Sequence, residues 1–263
     1  MTDDGGQRNW DGISYLRRGL RIEERYHSEV NQRVDSGIDL LRICAVLAPR
    51  DHKVWLQRHT LLIDLNQKGE ELSAGMDRGT RYEVRRAASK DNLSINIVSS
   101  LGREALQSFC DYYDEFARQR SLALVFRARL EAMANKGRLV ISSAADIEGR
   151  ALVQHAYFNG LRAHLLYSAS LLPSTQNVAL RGLIGRANRL LHWQDMLYFK
   201  QLGMSAYDFG GIDVLNNSEE TTRISQFKEG FGGKVVESYN RTVPCTYKGR
   251  LALLMLRIRG SEY

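Results

Sequence analysis

Apolar and polar positions alternate along this chain in a way that predicts both strands and helices. Apolar runs at 40–47 and 54–65 are separated by a proline-containing turn and predict strands at the rim of a small sheet. Residues 13–34 are densely charged with interspersed aromatic and aliphatic residues, which predicts an amphipathic helix. The first twelve residues are polar and glycine-rich, and we expect them to be disordered.

Four later stretches have the composition and apolar spacing of helices, namely 70–90, 102–120, 126–136 and about 178–202. In the first of them, Arg81 and Arg85 lie one helical turn apart and Arg86 follows directly. This basic stripe either binds phosphate groups through forked hydrogen bonds or is an ordinary solvated face.

Three predicted strands follow one another at 139–143, 151–158 and 161–168. Asn159-Gly160 is a two-residue hairpin signal, so Phe158 should pair with Leu161. That register places His155 directly opposite His164.

The most distinctive stretch runs from 203 to 233. A short aromatic strand, Tyr-Asp-Phe, ends in Gly210-Gly211, and glycines there let the backbone approach a ligand closely. Downstream, a polar turn reads Phe-Lys-Glu-Gly-Phe-Gly-Gly from Phe227 and places Lys228 between two aromatic residues. On periodicity alone, this is a strand, a loop and a short surface helix with a solvated lysine.

The combination of these two glycine-closed motifs resembles the Fem family of non-ribosomal aminoacyltransferases, which have a GNAT (N-acetyltransferase) fold. A Leu-Ile-Asp-Leu strand ending at Leu65, followed by the arginine-rich helix, also resembles the junction between the two lobes of that family. The resemblance implies an α/β chain with a GNAT-like mixed, mostly antiparallel twisted sheet, helices on both faces and a partial N-terminal lobe. It implies three parts: a tail over 1–12, the partial lobe with a linking helix over 13–95, and the acyltransferase domain over 96–263.

By this resemblance, Lys228 stabilises a tetrahedral oxyanion or holds the ester oxygens, and Phe227 packs beside it. Asp208 and the amides of Gly210 and Gly211 would then lie where two strands separate and the acyl donor enters. The donor would be an aminoacyl-tRNA and the acceptor an amine on a small molecule, a peptide or a cell-surface precursor.

The two histidines of the hairpin have two interpretations. Either His155 or His164 deprotonates or orients the acceptor amine, or the two form a polar pair at the margin of the sheet. No third ligand accompanies them, so we expect no metal site.

The sequence near the start of the predicted helix at 178 is evidence about the identity of the acyl donor. Coenzyme-A-dependent GNAT enzymes carry a Gln/Arg-x-x-Gly-x-Gly/Ala loop there, whose amides bind pyrophosphate. In this chain Gly182 occupies the Gln/Arg position and Arg181 comes one residue early, which argues against coenzyme A. Arg181, Arg186 and Arg189 remain candidates for binding phosphates, and we expect no cofactor.

The composition indicates the charge of the partner but not its identity. The 263-residue chain has a net charge of +7, which favours a polyanionic partner such as tRNA. Its three cysteines are far apart, no signal-peptide pattern opens the chain and no run is long enough to span a membrane, so we expect a cytoplasmic protein. Two alternatives stay open: an N-acyltransferase that uses acyl-CoA or an acyl carrier, and a non-catalytic nucleic-acid-binding module.

Overall fold

The structure is a computed structural model that describes residues 12–27, 34–49, 54–171, 177–215 and 218–258. All but one residue of the predicted disordered tail lies outside these ranges. The chain divides into two compact units: Met1–Gln57 with Tyr239–Tyr263, and Arg58–Ser238. The predicted boundary at 95/96 lies inside the second of these units.

The described residues contain ten strands and seven helices. In chain order they are β1 (Ile13–Arg17), β2 (Leu20–Tyr26), β3 (Leu40–Val46), β4 (Leu56–Asp64), α1 (Gly69–Gly75), α2 (Arg78–Lys90), β5 (Ser94–Val98), α3 (Arg103–Gln119), α4 (Arg127–Asn135), β6 (Leu139–Ala145), β7 (Ala151–Asn159), β8 (Ala163–Ser170), α5 (Val178–Gln201), β9 (Ala206–Gly211), α6 (Glu219–Glu229), β10 (Lys234–Pro244) and α7 (Tyr247–Ile258).

In the first unit the strands lie in the order β1, β2, β3 and the end of β10. The helix predicted for 13–34 is wrong: residues 13–26 form an antiparallel hairpin, and 28–33 lie outside the described residues. Its turn is made by Arg18 and Gly19, both with positive φ. Charged residues misled the helix prediction because several are buried in pairs, such as Arg25 Nε with Glu23 Oε1 at 2.5 Å.

In the second unit the order is the start of β10, then β4, β9, β8, β7, β6 and β5. Strand pairs from β5 to β8 and the pair β4–β9 are antiparallel, whereas β8 and β9 are parallel. The prediction of a mixed, mostly antiparallel sheet is therefore confirmed. Strands β3 and β4 each lie between two neighbours, so the predicted place of both at a rim is wrong. Strand β5 was not predicted.

The core of the second unit is rich in aromatic residues. Tyr157 of β7, Phe199 of α5, Tyr207 and Phe209 of β9, and Phe231 after α6 are each at most 1% exposed and belong to one cluster. The stretch predicted as a helix over 70–90 is broken into α1 and α2, because Asp77 begins a new helix by accepting a hydrogen bond from the Thr80 amide at 2.6 Å.

The hairpin between β7 and β8 departs from the predicted register. Asn159 pairs with Ala163, so three residues form the loop, and a β-bulge follows at Ala156/Tyr157. His155 consequently pairs with Ser168, and the predicted pairing of His155 with His164 is wrong. Arg162, which the two-residue loop would have placed in the strand, instead donates from Nε to Asp208 at 2.8 Å.

No helix in the described part of the chain is both long and apolar enough to cross a membrane.

Candidate active site

The candidate active site lies where strands β8 and β9 stop pairing. Among the described residues they pair only at Ala163–Tyr207 and His164–Asp208, although β8 runs on to Ser170 and β9 to Gly211. Just beyond the last pair, Gly210 has a φ of +69°, and a Cβ there would lie 3.1 Å from the Leu165 carbonyl oxygen. The glycine therefore lets β9 turn close against β8 where their pairing stops.

Asp208 is the buried anchor of this strand end. Its carboxylate accepts hydrogen bonds from Thr60 Oγ1, from Arg162 Nε at 2.8 Å and from the Gly210 amide at 2.8 Å, and it lies 3.0 Å from His164 Nδ1. Burial opposes ionisation, but the adjacent His164 and Arg162 with Thr60 outweigh it and lower the pKa of Asp208. Asp208 thus acts as a fixed negative charge, and the Gly210 amide is engaged by it rather than turned towards a ligand.

Lys228 reaches this strand end from α6. Its Nζ donates to the Gly211 carbonyl oxygen at 2.5 Å. Burial lowers the pKa of Lys228 to about 8, while the charge of Asp208 works in the opposite direction. The ammonium is therefore half-buried, close to the end of β9 and poorly hydrated, in contrast to the solvated surface lysine that periodicity alone suggested.

The glycines after Lys228 are required by close packing against α1 and α2. A Cβ on Gly230 would lie 2.6 Å from Thr80 Oγ1, and one on Gly232 would lie 2.5 Å from the Gly75 carbonyl oxygen. The Gly230 carbonyl also accepts from the Asp77 amide at 2.9 Å. This contact explains why the motif needs glycines there, and it fixes the end of α6 that carries the lysine.

His192 of α5 lies in an aromatic enclosure next to the lysine. Its ring centroid is 4.8 Å from that of Phe209, 5.7 Å from Phe227 and 5.4 Å from Phe231. The guanidinium of Arg189 lies 4.9 Å from the centre of the Phe227 ring. Burial first, and then the neighbouring His155, Lys228 and Arg189, hold the pKa of His192 well below its usual range.

A chain of buried hydrogen bonds connects His192 to a carboxylate. His192 Nδ1 is 2.7 Å from the Tyr207 hydroxyl, which is 2.7 Å from the Tyr157 hydroxyl. Tyr157 donates in turn to Asp195 Oδ2 at 2.6 Å. All four side chains are at most 2% exposed.

The carboxylate at the end of this chain fixes the direction of every bond in it. A carboxylate accepts only, so the Tyr157 hydroxyl donates to Asp195 and its oxygen accepts from Tyr207. The Tyr207 oxygen then accepts from His192, which assigns the Nδ1–H tautomer to that ring. Within the described residues, His192 Nε2 has no hydrogen-bond partner, so it presents a lone pair.

The two histidines singled out from the sequence have different surroundings. His155 is fully buried, with Nδ1 at 2.9 Å from Asp195 Oδ2 and Nε2 at 2.9 Å from Asn188 Oδ1, so both ring nitrogens are engaged. His164 lies beside Asp208 with its Nδ1. Both ring nitrogens of His155 and the Nδ1 of His164 are therefore unavailable to a substrate amine.

The candidate phosphate-binding arginines also differ in their surroundings. Arg186 forms a two-bond ion pair with Asp91, at 2.5 and 3.1 Å, and so holds α5 against the end of α2. Arg81 is half-buried and donates to the Ala74 carbonyl oxygen at 3.3 Å. Exposed guanidinium groups are those of Arg85 and Arg86 on α2 and Arg181 at the start of α5. The stretch compared with the coenzyme A loop, from Gly182 to Ala187, lies within α5 rather than in a loop before it.

Three of the buried residues have the side-chain types of a metal site. His155, His192 and Asp195 each offer a ligand atom, and these atoms lie within 4.8 Å of one another. Hydrogen bonds already join His155 to Asp195 and His192 to Tyr207, so the trio is accounted for as part of a polar network. The absence of a metal site remains a prediction.

Sequence reasoning did not single out His192, Asp195, Tyr157 and Tyr207, which form the buried hydrogen-bonded chain. A signal was present in α5: Asn188, His192 and Asp195 recur at spacings of four and three, so they form a polar stripe on a mostly apolar helix. Such a stripe, on the side that faces the sheet, indicates a buried polar network.

The chain has a GNAT-like fold. Among solved structures it is similar to FemX, with a TM-score of 0.60 and 14% identity over 90% of this chain and 83% of the other. It is also similar to a domain described as the C-terminal part of a lysylphosphatidylglycerol synthetase from Agrobacterium fabrum (TM-score 0.55, 12% identity, 93% and 84% covered). A third neighbour is L-PGS from Bacillus licheniformis (TM-score 0.50, 11% identity, 85% and 73% covered).

No protein-family model matches the sequence, and no curated protein matches it.

Proposed function

We propose that this protein is an aminoacyltransferase that moves an aminoacyl group from aminoacyl-tRNA to an amine acceptor. The observation that carries the proposal is the half-buried Lys228 ammonium, held on the Gly211 carbonyl where β8 and β9 stop pairing. The fold shared with FemX supports an acyltransferase, and the lysylphosphatidylglycerol synthetase neighbour supports an aminoacyl donor.

Lys228 has the charge and position to stabilise the tetrahedral intermediate. Attack of an amine on the ester carbonyl forms a C–N bond and moves an electron pair onto the carbonyl oxygen. A poorly hydrated ammonium stabilises that oxyanion more strongly than a solvated one does. With a pKa of about 8, Lys228 is predominantly protonated at neutral pH.

His192 is our candidate for the general base. Its depressed pKa keeps the imidazole neutral, and the hydrogen bonds behind it turn the Nε2 lone pair away from Tyr207. Nε2 takes the proton that the acceptor nitrogen loses as the C–N bond forms. When the ester C–O bond breaks, that proton passes to the departing ribose oxygen, so the base is regenerated.

Exposed positive charge supports tRNA as the donor. The exposed arginines Arg85, Arg86 and Arg181 lie on α2 and α5, the helices joined by the Arg186–Asp91 ion pair. Phosphate contacts made by such groups weaken as salt is raised. Thermal protection by charged tRNA that decreases between low and moderate salt would support this assignment.

Incubation of the protein with bulk charged tRNA and a small-molecule extract, followed by mass spectrometry, tests the transfer directly. We expect a product heavier by one aminoacyl group, and a loss of about a hundredfold or more in its rate of formation in Lys228→Met. Lys234→Met is the matched control, because that lysine is exposed on β10 and lies outside the site.

Three results would count against the proposal. Near-normal turnover in Lys228→Met removes the role of the lysine. Transfer from acyl-CoA but not from charged tRNA favours the N-acyltransferase alternative. Tight nucleic-acid binding without transfer from either donor favours a binding module.

A further inference from the structure

Helix α7 has two apolar sides, and one of them packs within its own unit. Gly249 lies so close to β3 that a Cβ there would be 2.1 Å from the Asp39 carbonyl oxygen. Ala252, one turn later, is 9% exposed, and Leu256 is half-buried. These positions define the inner face of the helix.

The opposite side of α7 is apolar and exposed. Tyr247, Leu251, Leu254, Met255 and Ile258 recur at spacings of four, three, one and three, which places them on one face. Each is between 47% and 87% exposed. Five large apolar side chains side by side exceed the scattered exposure that is normal for a protein surface. We call these five residues the outer face of α7.

Basic groups border the outer face. Arg250 holds its guanidinium 5.4 Å from the centre of the Tyr247 ring, and Lys248 donates to the Gly19 carbonyl oxygen, beside the exposed Arg18. The nearby carboxylate of Asp39 is buried, accepts from Thr246 Oγ1 at 2.6 Å and lies 3.7 Å from Lys248 Nζ, which leaves Arg250 and Arg18 as the border groups without a carboxylate partner among the described residues. The sequence from 241 to 261 contains no aspartate or glutamate and has five basic residues, Arg241, Lys248, Arg250, Arg257 and Arg259.

We propose that the outer face of α7 binds the surface of an anionic lipid membrane. An exposed apolar stripe bordered by basic residues matches a layer that is apolar below and negatively charged at its headgroups. The helix has 12 residues and is about 18 Å long, which suits a segment that lies in the interface rather than one that spans it. This proposal does not rest on the proposed acyl transfer.

Charge also decides against a second copy of the chain as the occupant. A two-fold dimer through the outer face would bring the basic borders of both copies together, and like charges facing each other oppose association. Phospholipid headgroups supply the opposite charge instead.

Co-sedimentation with lipid vesicles tests the proposal on the full chain. We expect binding to vesicles of phosphatidylcholine with 30% phosphatidylglycerol, weaker binding as salt is raised, and little binding to pure phosphatidylcholine. Ile258→Glu, which places a charge in the outer face, should weaken binding about tenfold or more. The matched control is Ile147→Glu: Ile147 is 82% exposed and Ile258 is 77% exposed, but Ile147 lies in the β6–β7 loop.

Failure of the anionic vesicles to bind the wild-type protein would overturn the proposal. Equal weakening by Ile258→Glu and Ile147→Glu would do so too, since the outer face would then have no special role. A concentration-dependent dimer in sedimentation velocity that Ile258→Glu abolishes, without vesicle binding, would assign the face to a second copy. Circular dichroism of both variants shows whether either has lost its fold.

Discussion

His155 and His192 are two buried histidines whose rings stack 4.1 Å apart, yet their surroundings give them opposite capacities. His155 has both nitrogens engaged, by Asp195 and Asn188. His192 has one nitrogen engaged by Tyr207 and, among the described residues, no partner at the other. The difference shows that a histidine's chemistry depends on how many of its nitrogens the fold has already occupied, and less on its burial.

Replacement of His192 should have the largest effect on turnover. His192→Asn retains a donor in reach of the Tyr207 hydroxyl but has no basic nitrogen at the position of Nε2. We expect kcat to fall about 10²- to 10⁴-fold, the range for loss of a general base, with binding of charged tRNA unchanged. Steady-state kinetics and a tRNA-binding titration give the two numbers.

Urea unfolding of the same variant controls for loss of structure. If kcat of His192→Asn stays within threefold of the wild type, then His192 is a core residue and the comparison with His155 has no catalytic meaning.

Replacement of His155 should instead affect stability. His155→Asn leaves the buried Asp195 and Asn188 without a full set of partners, which costs about 1–3 kcal/mol in the free energy of unfolding. The matched control is His59→Asn, at a partly exposed position of β4, which should change stability by no more than about 0.5 kcal/mol. Equal stability of the two variants in urea, or a larger loss of kcat in His155→Asn than in His192→Asn, would reverse the assignment.

The smallest expected effect is the pH dependence of the site near His192. Burial lowers the pKa of Lys228 from the ordinary lysine value of 10.5 to about 8. Since the proposed role needs the ammonium, kcat/KM should decline above pH 8. The unfolded chain keeps the proton up to about 10.5, so it binds more protons than the folded chain between these values, and stability should rise with pH there.

The control for the pH dependence of stability is the variant that lacks the lysine. Lys228→Met should lack the rise in the free energy of unfolding between pH 8 and 10.5. A wild-type rate that stays level from pH 8 to 9.5 would show that the protonation state of Lys228 does not limit turnover.

The sequence was sufficient to predict elements with strong local patterns. The strands around 40–46 and 56–64, the helix over 103–119 and the long helix from Val178 were predicted close to their bounds. The resemblance to the Fem family also led to Lys228, because the glycines that follow it are required by close packing on α1 and α2. The role of Lys228 remains a prediction.

Where a long-range contact competed with local pattern, the prediction failed. Charges in 13–26 suggested an amphipathic helix, but the buried Glu24 carboxylate pairs with Arg42, 18 residues away on β3. Asn159-Gly160 suggested a two-residue loop, but the observed loop has three residues. One of them, Arg162, contacts Asp208, 46 residues away. Both failures involve charges whose partners cannot be read from neighbouring residues.

By itself, the sequence determined the periodic elements, the glycine positions that permit close backbone approach and the basic charge of the chain, since these depend on each residue and its near neighbours. Only the tertiary structure decided which buried groups meet: Lys228 at the Gly211 carbonyl, and His192 joined through two tyrosines to Asp195. The physical reason is that protonation and hydrogen-bond direction depend on partners that the fold brings together from β7, α5, β9 and α6.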